Sequence, residues 1–114
     1  MTSHQVSLAE LPFSGTAHRF DGDRFGAGAI SFFVSDGHPG SGPKLHRHPY
    51  AEVFLVQEGS LTFTVGDETV VAEAGQIVVV PAGTPHKFVT NGPGRARHLD
   101  IHAAGRMSTE WLEE

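Results

Sequence analysis

Short apolar runs recur along the chain, punctuated by glycine, proline and aspartate, and no long stretch keeps the period of an amphipathic helix. The pattern predicts strands over 29–35, 44–49, 52–57, 60–65, 69–72, 76–80, 86–90 and 97–103, with a weaker one near 16–20. Leu61, Phe63 and Val65 alternate with Thr62 and Thr64, the period-two signature of a half-buried strand. Glu58-Gly59 and Gly66-Asp67 suit tight hairpin turns, because glycine reaches positive φ without a steric penalty. Ala74-Gly75 and Pro81-Ala82-Gly83 mark two more reversals, and Pro81 ends its strand because it has no N–H for the ladder. The segment Asp36–Pro43 holds too many breakers to be anything but a loop. Many short strands at regular spacing predict an all-β sandwich or barrel.

Within that pattern four residues carry chemistry. His46 and His48 stand at i and i+2, so on a strand both point to one face. Glu52 shares their parity if the strand runs on or resumes in phase, and His86 must then come from a different strand across the barrel or sandwich. Three imidazoles and a carboxylate supply lone pairs to a divalent transition metal without a thiolate. Structural zinc sites prefer closed shells, often with thiolates, whereas this donor set leaves positions open for water or substrate. Iron, manganese, nickel, copper, cobalt and zinc all remain candidates. If His46, His48 and Glu52 face inward, Phe54 and Val56 do too. Val53 and Leu55 then face out and need a second layer or another subunit to cover them.

Residues framing the four donors sharpen the picture. Gly40, five residues, His46-Arg47-His48, three residues, Glu52, six residues and Gly59 form one motif. Gly75, five residues, Pro81-Ala82-Gly83, two residues and His86 form a second. Together they resemble the two signature motifs of the cupin superfamily, in the same order. Ser60 to Ala74 separate them, a short spacing similar to that of compact single-domain microbial cupins. The family often carries Asn four residues after the second-motif histidine, where this chain has Thr90 followed by Asn91. The resemblance implies a jelly-roll barrel, a double-stranded β-helix, over residues 1–114, with motif one at 40–59 and motif two at 75–91. It implies metal ligation by His46, His48, Glu52 and His86, and homodimers, which are common among cupins. Two functions follow by analogy. One is a metalloenzyme of oxygenase, isomerase, lyase or decarboxylase type acting on a small organic molecule. The other is a non-catalytic metal-dependent ligand-binding, sensor or storage module.

Catalytic candidates beyond the metal are Glu52, which can leave the metal and act as a base, and Tyr50, the single phenol, which can donate a proton or simply pack. His38 lies in the breaker-rich loop and is expected to be solvent-exposed rather than a fifth ligand. Residues 98–102 alternate His98, Asp100 and His102 with Leu99 and Ile101. The simpler expectation puts Leu99 and Ile101 in the core and the polar face in solvent; the alternative is a carboxylate–imidazole network at the site. Arg47 is expected at the surface, Phe32, Phe54, Phe63 and Phe88 in the core or pocket wall. Ser108 is expected to cap a short helical turn through Leu112, with Trp111 folding back as a structural anchor.

Composition narrows the partners. The 114 residues fit one domain and one core. Net charge is −5 with no basic cluster larger than Arg95-Ala96-Arg97, which argues against nucleic acid. Without cysteine there is no disulfide, thiolate site or thiol nucleophile. Met1-Thr2-Ser3-His4-Gln5 lacks a basic start and an apolar run, and the run from Ile77 to Pro81 is too short for a bilayer, so a cytoplasmic protein without a membrane partner is the expectation.

Overall fold

The computed structural model describes residues 3–114; Met1 and Thr2, on which part of the expectation about the N-terminal segment rests, lie outside them. Among the described residues eleven strands run in chain order: β1 Phe13–Ser14, β2 Ala17–Phe20, β3 Ser31–Gly37, β4 His46–Arg47, β5 Glu52–Glu58, β6 Ser60–Val65, β7 Glu68–Glu73, β8 Ile77–Val80, β9 His86–Thr90, β10 Ala96–His102 and β11 Glu110–Trp111. Two antiparallel sheets face each other, ordered β1-β2-β3-β10-β5-β8 and β11-β4-β9-β6-β7. From β3 to β11 the chain changes sheet at every connection except the β6–β7 hairpin. That traffic makes a jelly roll, as expected. The only helical segments among the described residues are 3-10 turns at Leu8–Glu10 and Gly22–Arg24, and no helix is long and apolar enough to cross a membrane.

Turn chemistry explains much of this path. Gly66-Asp67 closes a two-residue hairpin in which Val65 pairs Glu68 and Gly66 takes φ +57°. Glu58-Gly59 is not the expected hairpin: β5 and β6 belong to different sheets, so the turn carries the chain across the barrel. Gly59 has φ +79°, and a Cβ there would stand 2.4 Å from the Arg95 carbonyl oxygen. Only glycine fits that crossing.

The apolar core fills the interior beyond the donors, from Phe54, Val56, Leu61, Phe63, Ala72, Val78, Val80 and Ala96, with Phe88 packed against it. Phe32 departs from the expected core position. It lies on the outer face and stacks on Phe20 at 4.6 Å.

The C-terminal helical turn is overturned. Residues 110–111 instead extend as β11 and pair with β4, Glu110 opposite Arg47 and Trp111 opposite His46. The reason is edge completion: β4 would otherwise end its sheet with unpaired backbone groups. Arg47 and Glu110 reinforce the pairing with a two-pronged ion pair at 2.8 and 3.1 Å.

Candidate metal centre

His46 and His86 are direct neighbours on β4 and β9, not partners across the barrel. The chain bends at Pro49-Tyr50 and changes sheet, so Glu52 resumes the inward phase from the opposite side. The structure thus brings His46, His48, Glu52 and His86 together, all buried, with one potential ligand atom from each lying within 4.8 Å of the others.

Each of the three histidines is oriented the same way. The Nδ1–H of His46 donates to the Lys44 carbonyl at 2.7 Å, that of His48 to Ser108 at 2.8 Å, and that of His86 to Thr84 at 2.9 Å. A carbonyl only accepts, so the proton sits on Nδ1 and the Nε2 lone pair is left for a ligand. The Glu52 Oε1 atom lies 3.1 Å from His48 Nε2 and 3.0 Å from His86 Nε2. Two donors at right angles, each about 2.1 Å from one ion, stand about 3.0 Å apart. His48 Nε2 and His102 Nε2 are both buried with no aligned hydrogen-bond partner among the described residues. Of the two, only His48 belongs to the set whose ligand atoms converge, where an unpartnered nitrogen could take up a metal.

Electrostatics point the same way. Burial lowers the His46 pKa to about 4, so the ring is neutral and its lone pair available. For Glu52, burial alone would raise the pKa, but the contacts with His102, His48 and His86 outweigh it and hold the carboxylate well below its usual range. Glu52 and Asp100 are both buried, and no lysine or arginine is buried among the described residues. A bound divalent cation would offset that negative charge. The donor set therefore fits a divalent metal, which would act there as a Lewis acid with positions open to small molecules.

A cavity of about 660 Å³ opens over the cluster, lined by His46, His48 and Glu52 and walled by Phe33, Phe88, Met107 and Trp111. Trp111, expected as an anchor, is 60% exposed and sits at the cavity with its ring 5.1 Å from that of His46. His38 is exposed in its loop, as expected.

The face of β10 is reversed from the simpler expectation. His98, Asp100 and His102 are buried inside, while Leu99 and Ile101 are half-buried outside. Pairing forces this, since His102 is opposite Glu52 and Asp100 opposite Phe54 on β5. His98 Nδ1 and Asp100 Oδ1 form a tight pair in the cavity wall, and burial pushes the Asp100 carboxyl up. The signal was the His-x-Asp-x-His alternation itself, read on the wrong side. Tyr50 is half-buried, and its hydroxyl lies 2.7 Å from His102 Nδ1.

A jelly roll with three histidines and a carboxylate turned into its cavity defines a metal-binding barrel class. This chain belongs to the cupin family, whose Cupin domain model matches residues 33–102, more than half of the sequence. Among solved structures it is similar to a Bacillus subtilis oxalate decarboxylase studied for its Mn(II) centres. That match is 23% identical with a TM-score of 0.82, over 92% of this chain and 30% of the other. An oxalate decarboxylase of Lactobacillus farciminis in a formate complex is 23% identical, with a TM-score of 0.77 over 89% of this chain and 32% of that one. An oxalate oxidase is 18% identical at a TM-score of 0.78, over 96% and 63%. An uncharacterised protein of Streptomyces coelicolor is 46% identical over 41 residues, 36% of this chain and 39% of its own length. The chain thus spans about a third of the decarboxylases and under half of that relative, and likeness at these identities shows the fold.

Proposed function

We propose that this cupin is a metal-dependent enzyme that acts on a small organic molecule, in chemistry of oxygenase, isomerase, lyase or decarboxylase type. The observation carrying the proposal is the buried His98–Asp100 pair in the wall of the cavity that the ligand cluster also lines. A buried polar pair often stabilises less than apolar side chains of the same volume, whereas an imidazole oriented by a carboxylate in a cavity wall suits proton transfer. In this proposal His46, His48, Glu52 and His86 hold the ion, His98 exchanges a proton with the substrate and Asp100 orients it. Manganese is the first ion to test, because a similar fold is described with Mn(II) centres, and oxalate the first substrate.

The proposal includes a cytoplasmic homodimer. Two apolar rows cross the outside of the six-stranded sheet: Phe20, Phe32, Ile101, Val53 and Val79 in one, and Phe13, His18, Val34, Leu99, Leu55 and Ile77 in the other. A second copy would cover them.

Elemental analysis of the purified protein tests the metal first. The expected result is one equivalent of a divalent metal, lost in His46→Ala/His86→Ala. No metal after incubation with each candidate ion would remove the assignment. Enzyme and binding module are then separated by His98→Ala, which should keep the metal and lose metal-dependent turnover. A protein that binds metal and small acids but turns over none of them is the binding module.

A further inference from the structure

We propose that Tyr50 and His102 form a positioning chain that fixes the two oxygens of Glu52 in different roles, Oε1 toward the metal centre and Oε2 held away from it. The inference rests on the metal reading above and assigns work to two residues outside the ligand set.

The two oxygens have different neighbours. Oε1 meets the Nε2 atoms of His48 and His86, whereas Oε2 lies 3.0 Å from Nε2 of His102. An ionised carboxylate accepts and cannot donate. The Nδ1 atoms of His48 and His86 face backbone carbonyls, whereas that of His102 faces the Tyr50 hydroxyl. That hydroxyl lies nearer to it (2.7 Å) than to the Ser108 carbonyl (3.3 Å). With Tyr50 donating to Nδ1, the ring proton of His102 sits on Nε2, 3.0 Å from Oε2. The Tyr50 oxygen in turn accepts the Ser108 N–H at 3.1 Å. Every donor and acceptor is thereby ordered along one line, from the Ser108 amide through Tyr50 and His102 to Glu52.

His102 is therefore the inverse of the three ligating histidines. They present Nδ1–H to a backbone carbonyl and a lone pair to the centre; it presents N–H to the centre and a lone pair to Tyr50. That inversion accords with the position of His102, a fourth buried imidazole near the cluster but outside the set whose ligand atoms converge. It also separates Tyr50 from direct catalysis. Its hydroxyl is spent on His102 and Ser108, and Tyr50 is not among the residues lining the cavity. With Oε2 held, Glu52 ligates through one oxygen and a position stays open; without the hold, the same carboxylate can close on the ion with both.

Manganese(II) titration of the metal-free full chain tests this, followed by electron paramagnetic resonance of the bound ion. His102→Leu should bind manganese about 10- to 100-fold more weakly than wild type, the usual penalty for losing an outer partner of a ligand, and should change the fine structure. His102→Gln, whose amide N–H can replace Nε2–H, should recover most of the affinity and the wild-type spectrum. Tyr50→Phe removes one hydroxyl with little effect on packing, so it carries the test if His102→Leu fails to fold; it should show weaker binding and an altered spectrum. Wild-type affinity and spectrum in both His102→Leu and Tyr50→Phe would overturn the chain and leave the metal centre standing. A folded His102→Gln as impaired as His102→Leu would overturn it too. A wild type that takes up none of manganese, iron, nickel, copper, cobalt and zinc would remove the metal reading, and this inference with it.

Discussion

His46 shows how burial and ligation meet in one side chain. Its ring is 6% exposed, and loss of water around the charged form pulls its pKa down to about 4, against an opposing pull from the Lys44 carbonyl. Between about pH 6.5 and 4 the unfolded chain binds a proton at this position that the folded chain refuses. Stability contributed here is thus complete above 6.5, falls as pH drops through the window and levels off below 4. His86 works the other way: burial would lower it, but the Glu52 carboxylate and the Thr84 carbonyl raise its pKa, so it favours the fold as pH falls. The contribution of His46 is read by difference. Metal-free wild type should lose more stability between pH 6.5 and 4 than His46→Gln does, by on the order of 3 kcal/mol, in urea denaturation at each pH. Parallel losses would contradict the assigned burial cost. The same residue shows what a linear pattern can carry. The spacing of His46, His48, Glu52 and His86 was legible because motif residues fix it. The side taken by His98, Asp100 and His102 was not, because alternation defines two faces and only pairing to β5 says which is inside.

Strands were legible where alternation ran long enough. The ranges 60–65 and 86–90 match β6 and β9, whereas β1 and β11 have two residues each and show no period to read. A two-residue strand exists only because an edge is there to receive it, and no local signal announces an edge. Turn type was half legible. Glycine marks where the chain needs positive φ, but not whether the turn returns to the same sheet or leaves it. Gly59 and Gly83 separate these cases energetically. Gly83, at φ +76°, has nothing within 4 Å of an added Cβ, so Gly83→Ala should lose only the left-handed backbone preference, roughly 1–2 kcal/mol. Gly59→Ala has that loss plus a clash with backbone at Arg95, and should be destabilised by at least about 1 kcal/mol more. Thermal melts of the two variants decide it; equal melting points would mean the β5–β6 crossing relaxes freely.

Around its apolar core the molecule has an inside that is polar at one end and an outside that is apolar on one sheet. Ile77 and Val79 are 62% and 59% exposed at the β8 end of the two outer rows. If a second copy covers them, Ile77→Lys/Val79→Lys should run as a monomer in light scattering while keeping its metal, because both side chains point away from the cavity. A wild type that is already monomeric would leave that face to some other occupant. The tail adds a temporal consequence. The peptide at Ser108 receives the His48 Nδ1–H and supports the Tyr50 hydroxyl, yet it follows His48 by 60 residues and comes after all four donors. On a translating ribosome the donors emerge first, with the tautomer of His48 still unset and Tyr50 unanchored. A metal held at this site would then be oriented by contacts that form only once the Ser108 segment has been made.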